Sequence, residues 1–99
     1  MADVGCGTGG GTAMMQQAGH SVTGIDISPA AIEAAQNKYP DITFLCASLE
    51  DGSSLPDHSF DAVFAGEVIE HIYDVHAFLR ELHRIIRPSG TLVLTTPYN

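Results

Sequence analysis

The sequence predicts one α/β domain with a parallel, doubly wound sheet. Two observations carry this. Segments of strand character alternate with segments of helix character along all 99 residues. A glycine-rich stretch follows directly on the first apolar segment, as at a strand-to-helix turn. Residues 1–99 are read as a single domain, because 44% hydrophobic and 16% charged residues suit a small globular core.

The elements follow in order. Met1 to Val4 reads as the end of a strand, followed by Gly5-Cys6-Gly7-Thr8-Gly9-Gly10-Gly11 and a short helix over about Thr12 to Ala18. Gly19 is placed to close that helix. Ser21 to Asp26 is the second strand. Ser28 caps the next helix, Pro29 takes its first position, and Ile27 and Ile32 are spaced for a hydrophobic staple. That helix runs to about Lys38, before Tyr39-Pro40. Ile42 to Ala47 is the third strand, Glu50 to Ser59 a polar loop, and Phe60 to Ala65 the fourth strand. Gly66 to Ile72 is a helical turn or tight loop. Asp74 caps a helix whose apolar face is Val75, Phe78, Leu79, Leu82, Ile85 and Ile86, with Arg84 and Arg87 in its last turn. Pro88-Ser89-Gly90 turns the chain into a fifth strand, Thr91 to Thr96. The sheet would end on a buried-type strand with nothing to cover its edge, so the sequence is expected to be an incomplete domain.

Composition narrows the function. Twelve acids against four bases give a net charge of −8, which disfavours a nucleic-acid partner. No Lys or Arg falls between Lys38 and Arg80, whereas Glu50, Asp51, Asp57, Asp61, Glu67, Glu70 and Asp74 do. The plain reading is a solvated acidic face; the sharper one is a rim suited to a cationic ligand. No apolar run approaches the roughly 20 residues of a membrane span. No secretory leader is recognisable, which favours the cytoplasm. Cys6 and Cys46 lack metal-ligand spacing and read as reduced, buried packing residues, as Met14 and Met15 read as core contacts.

The glycine stretch admits two ligands. Gly5, Gly7 and Gly10 fit the dinucleotide pattern, with Asp26 at the distance of a ribose-binding acid. Asp3, however, stands at the same strand end, where a carboxylate would repel a pyrophosphate. It suits instead an ammonium and a sulfonium, both present in S-adenosylmethionine. The competing structural readings are that Asp3 caps the glycine loop and that Asp26 is a turn residue.

With these motifs in place, the chain resembles the class I S-adenosylmethionine-dependent methyltransferases, in particular the small-molecule group that includes the ubiquinone and menaquinone biosynthesis enzymes. The likeness rests on Asp3-Val4-Gly5-Cys6-Gly7-Thr8-Gly9, on Gly24-Ile25-Asp26-Ile27-Ser28, on Ser59-Phe60-Asp61-Ala62-Val63, on Glu67-Val68-Ile69-Glu70-His71 and on Leu79 to Pro97. Ser89 replaces a usual glycine, and Ser48 stands where many relatives carry an adenine-binding Asp. The resemblance implies a Rossmann-like fold of which about five strands are present, without the N-terminal cap and the last two strands. It implies S-adenosylmethionine as cofactor, with Asp3, Gly5 and Gly7 at the methionine part, Asp26 at the ribose, Ser48 and Leu49 at the adenine, Glu67 near the methionine end and the acceptor, and Cys6, Gly9 and Ile27 also at the cofactor. The implied reaction is methyl transfer to an oxygen or carbon of a small molecule.

Such a transfer needs alignment more than a nucleophilic side chain. Glu67, Glu70 and His71 share one helical face and could hold a divalent metal ion, or His71 could act as base. The favoured reading is that Glu70 and His71 cap or pack a turn, since three ligands underfill an ion. His20, His58, His76 and His83 read as surface residues, and Thr95, Thr96 and Pro97 as strand-end residues near the acceptor. Two rivals remain: a dinucleotide-dependent oxidoreductase fragment, and a non-catalytic remnant. No motif specifies the acceptor or the oligomeric state.

Overall fold

The structure, a computed structural model, describes residues 1–66 and 68–95. Five strands form one parallel sheet: β1 Ala2–Val4, β2 Thr23–Asp26, β3 Thr43–Cys46, β4 Phe60–Gly66 and β5 Ile86–Thr95, in spatial order β3-β2-β1-β4-β5. Three helices, α1 Gly10–Gln17, α2 Pro29–Lys38 and α3 Val75–Ile85, and a 3₁₀ turn at Ile69–His71 connect them. The connection from β3 to β4 contains no helix.

Strand alternation puts helices on both faces. Ala2, Val4, Ile25, Val63 and Ala65 point to one face, where they pack with Phe78, Leu82 and Ile85 of α3. Full burial of each of these three large side chains contributes about 1.5–3 kcal/mol. Asp3 points to the other face and meets Thr12 of α1. On that face Phe44 also packs against Ile32 and Ala35 of α2. β1, three residues long and buried throughout, pairs with β2 on one side and β4 on the other. The order of pairing therefore switches direction at β1, and the loops leaving β1 and β4 diverge there to open a crevice.

The expected caps form. Ser28 Oγ accepts the Ala31 N–H at 3.2 Å and Asp74 Oδ1 accepts the Ala77 N–H at 3.0 Å. Gly19 takes a left-handed φ of 102° and closes α1. Several expectations are corrected. α1 begins at Gly10, two residues early, because Gly9 with φ 93° serves as its N-cap. Ile27 does not staple to Ile32 but is 65% exposed, and Met14 is 72% exposed, so neither contributes to the core. Met15 is only partly buried. Cys46 is exposed and Cys6 half-buried. α3 ends at Ile85, which leaves Arg87 outside it. The Arg87–Gly90 stretch lies within β5 as a bulge: Phe60 pairs with Ile86 and Ala62 with Thr91, so these four residues loop out of the ladder. Pro88, which has no N–H to donate, fits that position. Thr96 and Pro97 lie outside the described residues. Among the described residues no helix is long and apolar enough to cross a membrane.

Candidate functional site

A crevice of about 320 Å³ opens at the carboxyl ends of the strands. Val4 and Gly5 line it from β1, Ile25, Asp26 and Ile27 from β2, and Ala47, Ser48, Leu49 and Glu50 from the segment after β3. Gly66, Val68, His71, Ile72 and Phe78 close the far side. The walls are largely apolar, with the Asp26 carboxylate, Ser48, Glu50 and His71 as polar groups.

Asp26 is held from two directions. Its Oδ2 accepts the Gly7 N–H at 2.8 Å and its Oδ1 accepts the Ser28 N–H at 3.0 Å. Each carboxylate oxygen has a second lone pair, so both can still accept from a pair of ligand hydroxyls. The glycine turn is fixed by the same strand: the Gly5 and Cys6 N–H groups both donate to the Ile25 carbonyl, at 2.7 and 3.1 Å. Backbone N–H groups at Gly5, Cys6 and Gly7 are therefore engaged within the protein. A dinucleotide pyrophosphate needs such groups free at a glycine turn.

Gly5 has φ 77°, and a Cβ there would collide with the Val68 side chain. Val68 thus packs directly over the glycine backbone, and only glycine allows that approach.

Asp3 is 6% exposed and lies beneath the turn, outside the crevice lining. Its Oδ2 accepts the Thr12 hydroxyl at 2.7 Å. Burial raises its pKa and the Asp26 charge adds to the rise, while the Thr12 bond opposes it. Asp3, expected at the methionine part, has its carboxylate on Thr12, where it braces α1 against β1. Cys6 sits between these acids. Burial first, then Asp26 and Asp3, push its thiol up to about 12. Cys6, Gly7 and Gly9 likewise lie outside the crevice lining and shape the turn behind it. Gly5, Asp26, Ile27, Ser48 and Leu49 line it. Ser48 Oγ accepts the Glu50 N–H at 3.3 Å and the Asp51 N–H at 3.4 Å, which curls the chain behind it. Leu49 is buried in the core cluster while one side faces the crevice.

His71 reaches the crevice rim, with Nε2 at 3.5 Å from Glu70 Oε1. Glu67, the third member of the suggested metal set, lies outside the described residues. Among the described residues no group of three metal-ligating side chains comes together. His20, His58, His76 and His83 are all exposed, and His58 adopts a left-handed φ of 53°.

Sequence reasoning gives Arg84 only a place in the last turn of its helix and assigns no role to Glu81 or Ser53, yet the three form a dense polar cluster. Glu81 Oε2 accepts both the N–H and the hydroxyl of Ser53. Arg84 grips Glu81 from Nε and Nη2 at 2.8 and 2.7 Å, and reaches Asp57 from Nη1 at 2.6 Å. The legible signal was the Glu81/Arg84 spacing on one helix face.

A strand-end carboxylate beside a braced glycine turn, with a crevice at the carboxyl ends of the strands, marks a doubly wound α/β domain. The chain belongs to the methyltransferase-domain family, whose profile matches residues 2–94. It is 35% identical over 95 residues to a probable S-adenosylmethionine-dependent methyltransferase of Mycobacterium tuberculosis (strain CDC 1551 / Oshkosh), covering 96% of this chain and 34% of that protein. It is 41% identical over 96 residues to 2-methyl-6-phytyl-1,4-hydroquinone methyltransferase of Synechocystis sp., covering 93% and 30%. The crystal structure of an S-adenosylmethionine-dependent methyltransferase from Mesorhizobium loti superposes with a TM-score of 0.86 at 31% identity, covering 98% of this chain and 46% of that one. The chain spans about a third of the length of these two curated relatives. Membership of this family sets aside the dinucleotide oxidoreductase alternative.

Proposed function

We propose that the chain binds S-adenosylmethionine in the strand-end crevice and presents it for methyl transfer to an oxygen or carbon of a small-molecule acceptor. The observation that carries this is the doubly held Asp26 carboxylate at the crevice, with exposed Ile27 beside it and Leu49 across from it. In this reading Asp26 accepts both ribose hydroxyls. Ile27 and Leu49 enclose the adenine ring, and Ser48 stands at its edge. The Gly5 backbone, kept bare under Val68, borders the methionine part. When bound, the cofactor supplies an activated methyl group on a sulfonium. The buried charge of Asp3, added to that of Asp26, favours a cation at the turn over a phosphate. In this reading Glu67 belongs near the methionine end and the acceptor, and His71 at the rim would take a proton where the acceptor must lose one. A metal ion held by Glu67, Glu70 and His71 is the less favoured role for this turn.

The quinone-type substrate named for the Synechocystis relative suits the apolar character of Ile72 and Phe78, and supports an apolar acceptor. Two free cysteines accord with a reducing compartment such as the cytoplasm. Calorimetric titration tests the reading. Binding of S-adenosylmethionine and not of NAD is expected; binding of NAD alone would overturn it, and binding of neither would favour the non-catalytic remnant.

A further inference from the structure

The connection between β3 and β4 forms one wall of the crevice yet has no secondary structure of its own. It also contains Gly52-Ser53-Ser54, a run with high conformational freedom. What orders it lies on α3. Glu81, 8% exposed, accepts two hydrogen bonds from Ser53, and Arg84 is bound to both carboxylate oxygens. Arg84 also donates from Nη2 to the Ser53 carbonyl at 3.2 Å, and its own carbonyl accepts the His58 N–H at 2.8 Å. At the other end, Glu50 Oε1 accepts the Asp74 N–H at the cap of α3. The segment is thus fastened to one helix near both ends. Its first residues, Ser48 to Glu50, form the wall, and Glu50 is itself the first fastening.

We infer that Glu81 and Arg84 are positioning residues for cofactor binding, which clamp Ser53 and so hold Ser48, Leu49 and Glu50 in place before the ligand arrives. The inference rests on the reading of the crevice as an S-adenosylmethionine site. A wall ordered in advance spares the ligand the entropy of ordering it, so loss of the clamp appears as loss of affinity. None of the clamp's three members touches the crevice, which separates this role from direct contact. Arg84 cannot be replaced by lysine without loss, because only the guanidinium fork spans both Glu81 oxygens and Asp57 together.

The test is calorimetric titration of S-adenosylmethionine at 10 °C into the parent chain and into Glu81→Ala, Glu81→Gln and Ser53→Ala, each shown to be folded by circular dichroism. A fall in global stability leaves affinity unchanged while the chain stays folded, so affinity isolates positioning. Glu81→Ala is expected to weaken binding about tenfold, Ser53→Ala less, and Glu81→Gln to recover part of the loss, since its amide oxygen still accepts from Ser53. Amide exchange should rise over residues 50–55 and not in β1. Should Glu81→Ala fail to fold, Ser53→Ala decides. Affinities within twofold of the parent in the folded variants overturn the inference alone. Absence of binding by the parent overturns the cofactor reading and this inference with it.

Discussion

The Gly7 N–H donates to Asp26 Oδ2 over 2.8 Å, so the tip of β2 holds the turn that leaves β1. The carboxylate proposed to meet the ribose also fixes the glycine turn behind the crevice. Asp26→Ala should therefore cost more than a lost ribose contact. It frees the N–H groups of Gly7 and Ser28, each a hydrogen bond to a charged acceptor of about 1.5–3 kcal/mol. A loss of S-adenosylmethionine affinity of at least tenfold is expected by calorimetry, with a lower melting temperature. Undiminished affinity would remove Asp26 from the site.

Asp3→Asn separates stability from binding. Burial raises the Asp3 pKa, so its ionised form is a cost to the fold above the ordinary carboxylate range. The amide keeps an acceptor for the Thr12 hydroxyl at no charge. Thermal unfolding at pH 7 should shift up by a few degrees. Affinity for S-adenosylmethionine should fall, with a smaller effect on its demethylated product, which lacks the sulfonium charge.

Glu81 gives the opposite pH behaviour. The Arg84 bonds, together with those of Ser53, outweigh burial and hold its pKa at about 2, below the ordinary 4.5. For a depressed acid the stabilisation is fully present above the unfolded pKa and is lost as pH falls through the folded one. Melting temperature should therefore drop between about pH 5 and pH 2, and the drop should be shallower in Glu81→Gln. Equal slopes in the two proteins would deny Glu81 this part.

The two cysteines should differ in reactivity. Cys6, half-buried with its thiol pushed up to about 12, is protonated at neutral pH, whereas Cys46 is exposed. Brief iodoacetamide treatment at pH 8 followed by peptide mass mapping should find Cys46 modified well before Cys6.

Gly5→Ala tests the close approach under Val68. A side chain at φ 77° is strained and meets Val68 directly. The variant should lose about 1–3 kcal/mol by chemical denaturation. Pairing it with Val68→Ala should return part of that loss.

Much of this was legible in residues. The strand and helix order and the Ser28 and Asp74 caps follow from local rules of spacing and capping, Gly5 and Asp26 from the glycine motif and its spacing, and Leu49 from the family resemblance alone. The departures have tertiary causes. Met14 and Ile27 are apolar at helical or staple spacing, but both side chains stand largely exposed among the described residues, and spacing alone cannot report that. The orientation of Asp3 depends on which face of a three-residue strand it takes, which only pairing with β2 and β4 decides. The Ser53 clamp joins positions far apart in sequence, and neither partner carries a motif to announce it.

The central place of β1 has a consequence for how the chain is made. Ala2 pairs with Val63, so β1 must wait for the whole stretch up to β4 to be made before its second neighbour arrives. Such distant pairings close slowly. During that wait one flank of the nascent strand stays open to whatever else can dock there, which makes translation a natural moment for chaperone help.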